Sequence, residues 1–215
     1  MFDAIQIDNL KGKKVLDVGC GIGQYSVFFA LHGADLYGID ISEVGISTAK
    51  MIAIENNVAD SCHFEVKDFS NSGFQDNFFD IVIFHEVLHH AIKYKNTREE
   101  TFRILKPSGK CFITESLYGN FIFALGRKVT MRGEENKGDI ILTIKDLENF
   151  SRGFSERNIE LFSLFFMIKR VFESWIWFPP VRIILFCTKK IDDIFLTIFP
   201  SFKKYCGETL VILKK

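Results

Sequence analysis

Residues 14–23 read KVLDVGCGIG, and this stretch decides the fold. Its first five residues have the apolar pattern of a buried β-strand, and glycines then occupy every second position, at Gly19, Gly21 and Gly23. Residues 24–32 continue with the pattern of a helix. A strand that runs through glycines into a helix lets a ligand approach the backbone and meet the positive end of the helix. The stretch therefore predicts the first strand, loop and helix of a ligand-binding α/β sheet.

Strand and helix patterns continue to alternate as far as residue 114. Strands joined by helices pair in parallel, because the connection must cross one face of the sheet. The sequence therefore predicts a Rossmann-like, doubly wound α/β fold. The predicted strands are 14–18, 34–41, 62–68, 79–84 and 110–114, and the predicted helices are 24–32, 42–57 (capped by Ser42) and 97–105.

The pattern weakens after residue 115. Residues 116–143 have no clear period, and a loop of that length in a compact domain usually carries function. Further on, the pattern predicts a helix beginning at 143–147, a strand at 159–168, a helix at 192–199 and a strand at 207–213. We predict one domain, 1–215, with a ligand-binding core at 13–115, a substrate-side insertion at 116–143 and an aromatic-rich remainder, 144–215, of the same sheet.

Composition excludes several classes of protein. The chain has 215 residues, of which 47% are apolar and 25% charged, so a disordered chain is excluded. The 27 basic residues balance 27 acidic ones, and no overall positive field favours nucleic acid as a partner. Five scattered cysteines and a beginning without the pattern of a secretory signal predict a reducing, cytoplasmic location.

Carboxylates follow the predicted strands at the edge where the glycine loop lies. Asp40 ends the second strand, where a carboxylate can accept both hydroxyls of a ribose. Asp68 ends the third strand, where it or the adjacent backbone can meet an adenine edge while Ile41 and Phe69 cover the ring faces. Gln24 stands where a dinucleotide fingerprint has its last glycine, which argues against NAD or FAD. These residues predict a nucleoside site.

With these motifs, together with residues 79–80 (FD) and 105–109 (LKPSG), the chain resembles the class I S-adenosylmethionine-dependent methyltransferases from about residue 14 to 115. The resemblance implies a seven-stranded, mostly parallel sheet with an antiparallel last strand, and S-adenosylmethionine as the cofactor. It also implies that the methionine end meets the glycine loop, that Asp17 holds the amino group, that Asp40 binds the ribose and that Asp68 and Phe69 contact adenine. Members commonly have helices before the first strand. Here residues 1–12 precede the region of the first strand, which is a short stretch for such helices. We therefore expect the insertion, the tail or another subunit to cover the site.

A histidine cluster permits a different enzyme class. His85, Glu86 and His89 form an H-E-x-x-H pattern, which on a helix binds zinc and hydrolyses peptides. The β-rich run before His85 instead places His85 and Glu86 at a strand end, so we predict no metal site. In a methyltransferase, His85 or His89 can act as the base for a hydroxyl acceptor, and His85 can line the cofactor site.

The C-terminal part is unusually aromatic and basic. Eleven of the 24 phenylalanines lie at or after residue 150, and residues 151–215 carry 11 basic against 6 acidic side chains, an excess of +5. Such a segment suits a pocket for an apolar acceptor, or a peripheral contact with a membrane. The apolar run 171–187 is too short to span a bilayer. We therefore predict methylation, at oxygen, of a small hydrophobic acceptor, with a non-catalytic cofactor-binding module as another alternative.

Overall fold

The structure is a computed structural model that describes residues 2–5, 7–93, 96–117, 142–170, 172, 175 and 177–215. The chain divides into two compact units. Unit 1 comprises Met1–Glu115, Glu148–Asn158 and Leu210–Lys215, and unit 2 comprises Ser116–Leu147 and Ile159–Thr209. Most of the predicted insertion, residues 118–141, lies outside the described residues, so the proposed domain boundaries stay predictions.

Within the described residues, seven strands form one sheet in the order β3-β2-β1-β4-β5-β7-β6. Strands β1 to β5 pair in parallel wherever they are neighbours. Backbone hydrogen bonds from Leu117 to Gly207 and from Ser108 to Lys215 run β7 antiparallel to β5. The predicted doubly wound, mostly parallel sheet with an antiparallel last strand is therefore confirmed. The strands are β1 Lys14–Val18, β2 Asp35–Asp40, β3 Cys62–Val66, β4 Phe79–His85, β5 Leu105–Ser116, β6 Glu156–Phe162 and β7 Glu208–Lys214.

Helices connect the strands, and the first four predicted strands agree with the structure to within two residues at each end. Ser42 caps α3 as predicted, since its hydroxyl accepts a hydrogen bond from the Gly45 amide at 3.0 Å. The helices are α1 Phe2–Ile5, α2 Gln24–Leu31, α3 Glu43–Glu55, α4 Leu88–Ala91, α5 Thr97–Ile104, α6 Ile144–Phe150 and α7 Pro179–Ile198. Among the described residues, no helix is both long enough and apolar enough to cross a membrane.

Three predicted elements have the wrong bounds. β5 begins at Leu105, because 106–109 form an irregularity within the strand, where Phe79 pairs with Leu105 and Ile81 with Lys110. β6 begins three residues before the predicted 159–168 and ends six before its end, since this strand is largely exposed and carries charged residues that hide its pattern. α7 begins 13 residues before the predicted 192–199, at a Pro-Pro pair that occupies its first turn.

Buried apolar side chains occur in the described residues of both units. Unit 1 packs large side chains against the sheet, and Phe29, Phe79, Phe84 and Phe112 are almost fully buried there. In unit 2, a small cluster of buried residues consists of Leu164, Leu196 and Cys206. The core of unit 1 holds the sheet edge that carries the predicted site.

Candidate functional site

The glycine turn after β1 is held against the end of β2. The amides of Gly19 and Cys20 both donate to the carbonyl oxygen of Ile39, at 2.8 and 3.0 Å. Gly19 has a φ of +66°, and a Cβ placed on it would lie 2.3 Å from Cγ2 of Val87. Glycine is therefore needed there for its backbone conformation and for the close approach of the segment after β4.

Asp40 is fixed at the end of β2 by two backbone amides. Its Oδ2 accepts from the Gly21 amide and its Oδ1 from the Ser42 amide, both at 2.8 Å. A carboxylate offers about four lone-pair positions, and two remain after these bonds. The side chain is thus held in place with acceptor capacity for two further hydroxyl donors.

Asp68 and Phe69 form a short turn after β3. Oδ1 of Asp68 accepts from the Ser70 amide at 2.8 Å and so begins the 3₁₀ helix Phe69–Asn71. The Phe69 ring is buried and meets Phe84 edge to face, with ring centroids 5.3 Å apart. This packing fixes the turn beside Asp40, since β2 and β3 are neighbours in the sheet.

These features surround a cavity of about 320 Å³ in unit 1, a size within the range of small-molecule sites. Five of the predicted cofactor residues line it, whereas Asp17, Gly21, Gly23 and His85 are not among the lining residues. Ile41 is 78% exposed there, so a flat apolar ligand would bury it. The lining consists of Val18, Gly19, Ile39, Asp40, Ile41, Lys67, Asp68, Phe69, Ser70, Val87, His90, Ala91, Lys93 and Thr97.

Sequence reasoning missed one wall of this cavity. Val87, His90, Ala91, Lys93 and Thr97 all follow β4. The available signal was topological: β4 pairs with β1, so the segment after β4 must reach the same sheet edge as the glycine turn. The histidine that lines the cavity is His90, and neither His85 nor His89 does.

The cavity fits the adenosine part of the cofactor that the sequence predicts. Asp40 has acceptor capacity for two further hydroxyl donors, and Ile41 and Phe69 provide apolar surface in the lining. Lys67, which lines the cavity, forms an ion pair with Glu65, with its Nζ 2.6 Å from Oε2 of the glutamate. The chemistry of these groups suits a neutral, hydroxylated nucleoside.

Asp17 lies in the interior of unit 1. It is 3% exposed, and its Oδ2 accepts a hydrogen bond from the Ser26 hydroxyl at 2.6 Å. Burial raises the pKa of Asp17 to about 6, against the lowering effect of the Ser26 bond, and the Asp40 charge raises it further. A cationic group nearby would favour the ionised form of this carboxylate.

His85 ends β4 in a partly buried position. Its Nδ1 lies 2.6 Å from the Thr114 hydroxyl oxygen, and its ring meets Tyr25 edge to face at 4.4 Å. Burial lowers the pKa of His85, although the charges of Glu86 and Glu115 raise it. A neutral imidazole at physiological pH is able to accept a proton.

His89 is held by a buried glutamate. Oε1 of Glu115 accepts from the Leu88 amide at 2.5 Å, and Oε2 lies 2.9 Å from Nδ1 of His89. The Glu115 side chain is only 1% exposed. It therefore stabilises the start of α4 and orients the His89 ring, which directs the other nitrogen, Nε2, away from the glutamate.

The H-E-x-x-H residues do not share one helix. His85 belongs to β4, Glu86 has a left-handed backbone with a φ of +52°, and His89 belongs to α4. Among the described residues, no group of three or more His, Cys, Asp or Glu side chains is arranged to hold a metal ion. The geometry gives the zinc alternative no support.

Comparisons with known proteins place these features in context. A family profile described as a methyltransferase domain matches residues 9–152. Phosphoethanolamine N-methyltransferase 1 of Zea mays is 36% identical over 111 residues, which are 50% of this chain and 21% of that protein. Sterol 24-C-methyltransferase ERG6A of Gibberella zeae is 37% identical over 107 residues, 49% of this chain and 28% of that protein.

A third relative and a solved structure extend the comparison. Ubiquinone biosynthesis O-methyltransferase of Pseudomonas fluorescens is 34% identical over 109 residues, 49% of this chain and 45% of that protein. The chain thus spans between about one fifth and one half of the length of these curated relatives. A S-adenosylmethionine-dependent methyltransferase structure from Methanosarcina mazei has a TM-score of 0.65 at 18% identity, covering 100% of this chain and 98% of that one.

Proposed function

Because this chain belongs to the class I S-adenosylmethionine-dependent methyltransferases, we propose that it transfers a methyl group from S-adenosylmethionine to a small hydrophobic acceptor. The acceptor atom in this proposal is an oxygen. The observation that carries the proposal is the cavity at the ends of β1, β2 and β3, in which Asp40 is held by two amides beside apolar surface from Ile41 and Phe69.

The protein's part in the reaction is mainly to bind and align. Bound S-adenosylmethionine supplies an electrophilic methyl group on a sulfonium sulfur. Asp40 binds the ribose hydroxyls, and the turn at Asp68 and Phe69 holds adenine. Gly19, Gly21 and Gly23 let the backbone approach the methionine part. Asp17, buried near the turn, offers a negative charge to the amino group.

A hydroxyl acceptor loses its proton as the methyl group is transferred, so a base assists. His85 is a candidate because its lowered pKa keeps the ring neutral and able to accept a proton. His89 is the other candidate, since Glu115 orients its ring through Nδ1 and would stabilise the imidazolium that forms. Apolar surroundings would exclude water from the site of methyl transfer. They would also help to align the acceptor with the methyl group.

The names of the relatives agree on methyl transfer but differ in the acceptor. By their names, they methylate at nitrogen, carbon and oxygen. Two of those names refer to hydrophobic compounds, a sterol and ubiquinone, and the aromatic part of this chain also favours an apolar acceptor. Hydrophobic acceptors of this kind are found in membranes. The proposal therefore includes a cytoplasmic location with a peripheral membrane contact.

Replacing Asp40 tests the cofactor site. Asp40→Ala removes charge-assisted hydrogen bonds to the ribose, each of which contributes about 1.5–3 kcal/mol, so the affinity for S-adenosylmethionine should fall at least about tenfold. Calorimetric titration measures the affinity, and thermal unfolding checks that the variant is folded. The matched control is Asp60→Ala, which removes an exposed carboxylate outside the cavity and should leave the affinity unchanged. Equal affinities of Asp40→Ala and wild type would refute the site.

Methyl transfer from labelled S-adenosylmethionine to a set of acceptors then tests the activity. Transfer to a hydrophobic hydroxyl compound, such as a quinol, is expected. Transfer to phosphoethanolamine alone would contradict the acceptor class. Tight binding of S-adenosylmethionine without transfer to any acceptor would favour the non-catalytic module.

A further inference from the structure

Unit 1 has a second cavity, at the edge of the sheet opposite the cavity proposed for the cofactor. Asp76 and Asn77 line it just before β4, Arg103 just before β5 and Lys215 just after β7. Because β4 and β5 run parallel to β1 and β7 runs antiparallel, these positions share the edge at which β1 begins. The second cavity has a volume of about 530 Å³, and none of the described residues lines both cavities. It is therefore a separate candidate site.

A fixed aromatic ring forms part of the second cavity. Phe102 lines it and is 37% exposed. The ring meets Phe154 edge to face, with centroids 5.4 Å apart, and Nζ of Lys215 lies 4.8 Å from its centroid. These contacts hold the ring while part of its apolar surface stays accessible. A flat ligand ring can pack against such a surface.

Two arginines of the lining are bound by carboxylates. Arg98 donates to Oε1 of Glu99 through Nε and Nη2. Arg103 donates to Asp76 through Nη1, and Glu100, which is outside the lining, holds its other nitrogens at 2.7 and 2.8 Å. The acidic side chains around the cavity are thus engaged, and this part of the wall is fixed before a ligand binds.

Two further cations of the lining, Lys215 and Arg152, have no carboxylate at ion-pair distance among the described residues. Nζ of Lys215 donates to neutral oxygens, Oδ1 of Asn77 at 2.9 Å and the carbonyl of Leu105 at 2.8 Å. Burial lowers the pKa of Lys215. The guanidinium of Arg152 is exposed and donates to no residue that the structure describes. An anion in the second cavity would compensate both charges.

We propose that the second cavity binds a small aromatic phosphate monoester. Its ring packs against Phe102, and its phosphate accepts from Arg152 close to the charge of Lys215. A phosphate monoester carries a charge of about −1.5 to −2 at pH 7, which matches two uncompensated cations. The guanidinium fork also suits this group, because it can donate to two phosphate oxygens at once. Binding needs neither S-adenosylmethionine nor methyl transfer, so this inference and the proposed function can fail separately.

Inorganic phosphate alone is the simpler occupant to consider. It would meet Arg152 and Lys215, but it would leave the Phe102 ring exposed. It would also fill little of a cavity whose volume is in the range of sites for larger small molecules. A ligand with both a ring and a phosphate accounts for the aromatic and the cationic parts of the lining together.

Phenyl phosphate is a suitable probe, because it joins one ring to one phosphate. Titrated into the full chain, it should shift the amide NMR signals of Asn77, Phe102 and Gly153, which line the second cavity. The signals of Gly19 and Asp40, in the other cavity, should stay unchanged. Excess S-adenosylmethionine should not alter the affinity. Inorganic phosphate and phenol should each bind at least about tenfold more weakly than phenyl phosphate, since each makes half of the contacts.

Substitutions separate the two parts of the lining. Arg152→Ala should weaken binding of phenyl phosphate about tenfold, because charge-assisted hydrogen bonds are lost. Its matched control is Arg157→Ala, an exposed arginine of unit 1 outside the cavity, which should change binding little. Phe102→Leu should weaken binding of phenyl phosphate but not of inorganic phosphate. All three variants should keep the wild-type thermal transition, which shows that any loss of binding is not a loss of fold.

Several results would overturn the proposal. One is the absence of shifts at Asn77, Phe102 and Gly153 with millimolar phenyl phosphate, and another is equal binding by Arg152→Ala and wild type. Shifts confined to Gly19 and Asp40 would place the probe in the cofactor cavity instead. Inorganic phosphate that binds as tightly as phenyl phosphate would assign the second cavity to the anion alone.

Discussion

Several large apolar side chains that are buried in unit 1 have exposed counterparts of the same residue type in unit 2. In unit 1, large aromatic side chains such as Phe84 and Phe112 are almost completely buried against the sheet. In unit 2, Trp177 and Phe186 are exposed, as are all five isoleucines of α7. The apolar fraction of a segment therefore does not predict its burial. A parallel sheet covered by helices has room for apolar residues on both faces, whereas α7 buries one stripe of side chains and leaves another exposed.

The largest expected contrast comes from truncating one phenylalanine in each unit. Phe112 is 1% exposed, so Phe112→Ala should lower the free energy of unfolding by about 3–5 kcal/mol. Phe186 is 63% exposed, so Phe186→Ala should change it by no more than about 0.5 kcal/mol. Chemical denaturation followed by circular dichroism measures both. A similar loss for the two variants would mean that Phe186 is covered in solution and would break the comparison.

Each unit also buries an aspartate, and the two differ in their hydrogen bonds. Asp17 in unit 1 accepts from the Ser26 hydroxyl, and its pKa is raised from an ordinary value of 3.8 to about 6. The folded protein therefore holds this proton more tightly than the unfolded chain does. Stability from this group is complete below about pH 4 and is lost as pH rises through 6. Above that pH, the loss is about 3 kcal/mol, since one pKa unit corresponds to about 1.4 kcal/mol.

Asp17→Asn should remove this dependence on pH. Relative to wild type, the variant should become more stable as pH rises from about 4 to 6, and the difference should then stay constant. Unfolding of both proteins by urea at a series of pH values measures that difference and cancels the contributions of other groups. The same substitution should weaken binding of S-adenosylmethionine, if Asp17 holds the amino group. A difference in stability that does not vary with pH would contradict the raised pKa.

Asp192 in unit 2 should respond to the same substitution in the opposite direction. Its carboxylate accepts from the amides of Leu164, Phe165 and Phe166, at 2.8, 2.9 and 3.1 Å. In Asp192→Asn, one amide must face the new NH₂ group, so unit 2 should lose about 2 kcal/mol. Faster hydrogen exchange of the 164–166 amides would show the loss, and Asp193→Asn, an exposed neighbour, should leave exchange unchanged. Unaltered exchange in Asp192→Asn would mean that these bonds do not stabilise unit 2.

The difference between the units also explains what the sequence could predict. The glycine turn and Asp40 are tied to a strand–turn–helix geometry that permits few residue types, so their places in unit 1 could be predicted. The wall formed by Val87 and His90 comes from a segment whose position depends on strand pairing, which short-range patterns do not reveal. In unit 2, α7 begins at Pro179, well before its predicted start, because its two apolar stripes hide the single-sided period expected of a helix.

The smallest expected effects concern how a helix begins in each unit. In unit 1, Ser42 caps α3 through its bond from Gly45, so Ser42→Ala should cost about 1 kcal/mol. In unit 2, the cap position of α7 is Phe178, whose side chain has no acceptor, and the next two residues are prolines without amide protons. The amide of Val181 is therefore the one that a capping side chain can reach. Phe178→Ser should supply that acceptor and raise the stability of unit 2 by about 0.5–1 kcal/mol relative to Phe178→Ala.

The alanine variant is the necessary reference, because it separates the gain of a cap from the loss of an exposed aromatic ring. Hydrogen exchange in the first turns of α7 measures the local effect, and thermal unfolding measures the global one. If Phe178→Ser exchanges no more slowly than Phe178→Ala, the first turn of α7 is held by contacts other than its cap. Packing would then stabilise the start of α7, as it stabilises the core of unit 1. The contrast between the two units would be confined to the exposed face of the helix.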